Sequence, residues 1–166
     1  MLNIPPRVYP LLQSILIKQQ SRTPLFEMAM GYVIAHHAPL PPVQTPNAID
    51  VYIGASAGNP LVSQFLGTLS DFMPMQAFAI KAHAEAFWMA KYDLVHGKAV
   101  PIQATDNGLM NITRMGVYFT PENCDIMANN AIELNNLICL GDAIYDFLRD
   151  NQQRSMAVNA APVATA

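Results

Sequence analysis

Residues 28–70, flanked by Glu27 and Asp71, carry a single formal charge, Asp50. A surface stretch of that length would hold about ten charges at the ordinary usage of roughly a quarter. Water solvates such a stretch poorly, so the folded chain must cover it with its own elements or with another molecule. The whole chain follows the same trend: 52% of its 166 residues are hydrophobic and 13% are charged. That is about half the charge usual for a soluble domain. The length suits one domain with a sizeable core. Residues 1–154 are therefore expected to form a single domain. Its uncharged faces point to a subunit of an oligomer or larger assembly, buried by neighbours through interfaces of roughly 1,600 Å².

The charges that are present narrow the range of partners. Nine Lys and Arg residues, spread from Arg7 to Arg154, leave a net charge of −3. They form no run or stripe, which argues against a broad nucleic-acid surface. Two cysteines, Cys124 and Cys139, do not make a disulfide framework and imply reduced thiols. The expected location is the cytoplasm or the inside of a larger particle. The first residues lack the layout of a signal peptide, because Arg7 follows Pro5 and Pro6 and Gln13-Ser14 interrupts the apolar stretch behind it. No transmembrane segment is expected. The long uncharged stretches are broken by Pro39, Pro41, Pro42 and Pro46, and again by Gly58-Asn59-Pro60.

Local patterns predict a mainly helical α+β fold with a small sheet. Val8, Leu11, Leu12, Ile15 and Leu16 make one face of an amphipathic helix. Thr23-Pro24 reads as an N-cap followed by proline at the first helical position, opening a helix to about His37. The proline-rich residues 38–47 are a stiff extended connector. Ile49, Val51 and Ile53 alternate with Asp50 and Tyr52, which predicts a strand over 48–53, and Gly54 to Pro60 reads as a turn. Residues 61–72 fit helix or strand equally. Residues 75–96 read as a helix with small residues on which another element could rest. Residues 99–104 and 109–119 read as strands around the turn Asp106-Asn107-Gly108. Thr120-Pro121 opens a long C-terminal helix. Its stripe runs through Met127, Ala131, Leu134, Ile138, Gly141, Tyr145 and Leu148, widened by Leu137, Leu140, Ile144 and Phe147, with a break expected at Gly141-Asp142. Residues 155–166 are uncharged and Ala-rich, and are expected to be a flexible tail.

Two constellations have the residue types of a catalytic site. The first is His83-Ala84-Glu85, followed by Cys124 at the start of a later helix. Residues 82–132 in this respect resemble the zinc-dependent nucleobase deaminase superfamily, whose signature is H-x-E and P-C-x-x-C. The resemblance implies that His83 and Cys124 are zinc ligands and that Glu85 shuttles protons to and from the zinc-bound hydroxide. Where the superfamily has a second cysteine, three residues after the first, this chain has Met127. The alternative reading makes His83 and Glu85 helix-surface residues and Cys124 a small buried hydrophobe.

The second constellation is Gly54-Ala55-Ser56-Ala57-Gly58. A G-x-S-x-G elbow after a strand presents a serine hydroxyl beside backbone N–H groups that hold an oxyanion. Ile53-Gly54-Ala55-Ser56-Ala57-Gly58 resembles the patatin-like lipases, which implies a Ser–Asp dyad of Ser56 with Asp106. Asn107 separates Asp106 from the following glycine, and the upstream residues 38–47 are proline-rich instead of glycine-rich. The alternative is an ordinary turn of small residues. No phosphate-binding loop or dinucleotide fingerprint is present.

Composition favours a non-enzymatic function over either catalytic set: a subunit or adaptor in a protein assembly, with no cofactor and with protein partners or self-association. A virion or a secretion machine would suit a chain of this kind. The zinc enzyme and the serine hydrolase are the alternatives.

Overall fold

The structure is a computed structural model that describes residues 23–71, 75–96 and 118–160. Among the described residues there are six helices and no strands: α1 (Thr23–His37), α2 (Ala48–Ala57), α3 (Pro60–Ser70), α4 (Ala77–Val95), α5 (Pro121–Asn129) and α6 (Ala131–Ala160). The expected α+β class with a small sheet is therefore corrected to an all-helical one. Residues 48–53 lie in α2, and Tyr118-Phe119 form a turn before α5. Residues 99–104 and 109–117 are outside the described residues.

Helix α1 is the axis of the fold. Leu25 to Ala35 are all buried, including the carboxylate-bearing Glu27. A helix that is apolar all round can be stable in water only when it is surrounded, and α4 and α6 pack against α1 to do this. Each contact has its own glycine. At Gly31 a Cβ would lie 2.7 Å from His83 Cβ and 2.9 Å from both Ala84 N and Ile80 O, so α4 can approach this closely only because no side chain is there. Gly141 of α6 sits against Met30 and Val33 of α1, where a Cβ would lie 2.8 Å from Met30 Cε. Gly141 thus marks a contact between helices within a continuous α6. The helix break falls earlier, at Asn130 between α5 and α6. The Glu27 carboxylate accepts a 2.7 Å hydrogen bond from the backbone N–H of Gln76, the N-cap of α4. A buried anion is thereby matched to the positive end of the α4 dipole.

Local chemistry accounts for the helix starts. Pro60 and Pro121 occupy first-turn positions, where the missing N–H would have had no partner anyway. Asn59 Oδ1 accepts from Leu61 N at 2.9 Å, and Thr120 Oγ1 accepts from Asn123 N at 3.2 Å. Most of the stripe read from the sequence faces the core in α5 and α6: Met127, Leu134, Ile138, Tyr145 and Leu148 are buried, whereas Ala131, at the start of α6, is exposed, as are Asn129 and Asn136 off the stripe. The backbone of α6 is helical as far as Ala160, so residues 155–160 continue the helix into the stretch expected to be a tail.

Helix α2 explains the error over 48–53. Ala48 and Tyr52 are buried and Ile49 and Ser56 are half-buried. Those four positions make one stripe of a 3.6-residue period. Val51 and Ile53, which suggested a period of two, point outward at 61% and 41% exposure. Tyr52 decides the matter by stacking on Trp88 of α4 at 4.8 Å between ring centroids. A long-range aromatic contact of this kind outweighs the modest strand preference of β-branched residues. Asp50 lies in the first turn, where a negative charge is favourable.

Candidate functional site

The connector between α1 and α2 cannot satisfy its own backbone. Pro39, Pro41, Pro42 and Pro46 have no N–H to donate, and their extended geometry leaves carbonyls without partners. Helix α4 supplies the donors from a single face. Trp88 Nε1 donates to Pro39 O at 3.2 Å. Lys91 Nζ donates to the carbonyls of Ala35 and Ala38 at 2.8 and 3.0 Å, capping the C-terminal end of α1. Tyr92 Oη accepts from Thr45 N at 2.8 Å, and His96 Nε2 donates to Pro41 O at 3.1 Å. Burial pushes the Lys91 ammonium below its ordinary pKa. These four side chains, three donating and Tyr92 accepting, fall at i, i+3, i+4 and i+8, so one helix face holds the connector down.

Under the connector lies a half-open cavity of about 290 Å³, lined by the end of α1, by α2 and by single residues of α3, α4 and α6. Ile34, Val62 and Leu40 contribute aliphatic walls, and Trp88, Tyr52 and Tyr145 contribute aromatic ones. Among the described residues no charged one lines it. Tyr145 is fixed from behind: its ring stacks on His37 at 4.4 Å, and His37 Nε2 donates to Asp142 Oδ1 at 2.8 Å. The most unusual atom is Tyr52 Oη. Among the described residues it is the buried side-chain polar atom without a hydrogen-bond partner. Its pKa is pushed up to about 12, chiefly by burial. The Ser56 hydroxyl, one turn along α2, moderates that rise by its proximity, but the pair does not reach hydrogen-bond geometry. The phenol is thus a neutral donor whose neighbour, the Ser56 hydroxyl, is not placed in hydrogen-bond geometry.

The residues singled out from the sequence are placed as follows. Ser56 is half-buried in the last turn of α2 and lines the cavity, and its carbonyl accepts from Asn59 N at 3.1 Å. It sits in a helix and not on a strand-to-helix elbow. Asp106 lies outside the described residues. His83 is half-buried where α4 meets Gly31, with its ring 5.9 Å from that of Phe119. Burial lowers its pKa, favouring the neutral ring. Cys124 is buried, and its thiol lies 3.9 Å from Phe119 O. Burial, with a smaller contribution from Asp125, raises its pKa and keeps it a thiol. Phe119 is thus a neighbour of both His83, through its ring, and Cys124, through its carbonyl. Glu85, two residues from His83 and so on a different side of α4, is close enough to act electrostatically on Tyr52. Met127 is fully buried. The described residues contain no group of three or more His, Cys, Asp and Glu placed to share a metal ion.

No protein-family model, curated protein or solved structure matches this chain. Function must therefore be argued from the geometry alone. Sequence reasoning missed Tyr52, Trp88 and Tyr145, which belong to three different helices and meet only in the folded chain. One signal was available: a connector with four prolines needs donors from elsewhere, and Trp88, Lys91, Tyr92 and His96 carry them at helical spacing. No described helix is long and apolar enough to cross a membrane.

Proposed function

We propose that this chain is a non-enzymatic subunit or adaptor of a protein assembly, and that the connector and the outer face of α2 form its contact surface. The observation that supports this reading is the exposure of Val43, Val51 and Ile53, at 67%, 61% and 41%, on the low-charge segment. Exposed apolar residues on a segment with a single formal charge are characteristic of surfaces that another protein covers. Lys91, Tyr92 and Trp88 hold the connector in place, so the surface is ordered before a partner arrives, which lowers the entropy lost on binding. A second copy of the chain is the partner to test first. Light scattering on the separated protein is expected to give a mass above the 18.2 kDa of one chain. The double variant Val51→Asp, Ile53→Asp is expected to shift it to the monomer. A wild-type chain that remains monomeric at high concentration would overturn the self-association form of this reading.

A further inference from the structure

We propose that the cavity between the connector, α2 and α4 binds a small, neutral, mostly apolar molecule carrying one hydrogen-bond acceptor, which receives the Tyr52 hydroxyl. This holds independently of any protein partner. The volume of about 290 Å³ is roughly twice that of an apolar cavity known to take benzene. It is suited to an aromatic ring with a short substituent, and the rings of Trp88, Tyr52 and Tyr145 form part of its lining. The absence of charged side chains from the lining rules against an ion, whose desolvation nothing there would offset.

The polar end of the cavity selects the functional group. Tyr52 is 6% exposed, and its Oη has no partner in hydrogen-bond geometry. An unpaired buried hydroxyl is costly, and an acceptor delivered by a ligand relieves that cost. Ser56, whose hydroxyl is near enough to influence the phenol, lines the same cavity and is half-buried. Its hydroxyl is a second donor for the same acceptor. A water at this corner would satisfy the phenol but leave the apolar remainder empty. A molecule with one acceptor and an apolar body matches both parts.

Three probes of similar shape test this: acetophenone has a carbonyl acceptor, ethylbenzene has none, and benzoate is charged. Binding would be measured by titration calorimetry. Emission from Trp88, the single tryptophan of the chain, reports whether the probe reaches the cavity. The wild-type chain is expected to bind acetophenone about threefold to tenfold more tightly than ethylbenzene, with benzoate weakest and Trp88 emission changing on binding. Tyr52→Phe keeps the ring and the wall, so it should still bind ethylbenzene while losing the preference. Ser56→Ala should narrow the preference without abolishing it. The assignment is overturned by failure of all three probes to bind, equal affinity for the two neutral ones, a preference that survives in Tyr52→Phe, or binding that leaves Trp88 emission unchanged.

Discussion

Helices α1 and α2 start from nearly the same material and end in opposite situations. Each carries one acidic residue and no lysine or arginine, Glu27 in α1 and Asp50 in α2. Helix α1 is enclosed from Leu25 to Ala35, whereas α2 buries only Ala48 and Tyr52. The low charge of residues 28–70 therefore has two causes. Around α1 it is the requirement of an internal helix, and around α2 it marks a surface left open. A shortage of charge says that a segment is covered or is available to be covered. Only the fold tells the two apart.

Substitutions test that contrast most strongly at the core. Phe26→Ala in α1 should lower unfolding stability by about 3–5 kcal/mol, because the ring is fully buried and a cavity would remain. Val51→Ala on the open face of α2, measured in dilute solution, should change it by less than about 0.5 kcal/mol. Urea titrations of the two variants decide this, and similar losses would mean that α2 is as enclosed as α1.

A smaller effect separates the two sides of α1. Gly31→Ala should lower stability by about 1–3 kcal/mol, since the new methyl meets the backbone of α4 at Ala84 N and Ile80 O. Gly141→Ala should lower it less, because Met30, whose Cε and Sδ are among its closest neighbours, is a flexible side chain. Equal losses on thermal unfolding would show that α4 can move as easily as a methionine.

The smallest effect lies in the contact between α1 and α4, at His83. Burial lowers its pKa in the folded chain below the ordinary value of about 6.5. As pH falls through that value the unfolded chain takes up a proton that the folded chain does not. Stability contributed by keeping His83 neutral is thus intact above about 6.5 and lost progressively below it. Melting temperatures between pH 7 and pH 5 should fall less in His83→Gln than in the wild type. Identical slopes would place the acid sensitivity elsewhere.

How much of this could be read in advance depended on the range of the interactions. The starts at Thr23-Pro24 and Thr120-Pro121 were legible because a cap and a first-turn proline act within a few residues. The core stripe of Leu134, Ile138, Tyr145 and Leu148 was legible because a long helix repeats its pattern several times. Residues 48–53 were misread because six residues fit either period, and the choice was made by Trp88, far along the chain. Of the candidate site, Ser56 was noticed for its glycine-rich setting. Its neighbours Tyr52 and Tyr145 were not, because no local pattern joins α2 to α6.

The proline connector also bears on the shape of the cavity wall. Interiors normally close over voids, because atoms lining a gap lose dispersion contacts. Collapse requires a wall that can move inward. Here one wall is built from Pro39 and Pro41, whose φ angles are locked by their rings. Their carbonyls are held by Trp88 and His96. Fixed φ angles also restrict the unfolded chain, so less conformational freedom is lost when this wall is set in place. Stiffness is thus written into the covalent structure of the connector, and the cavity is bounded on that side by backbone that has little freedom to move inward.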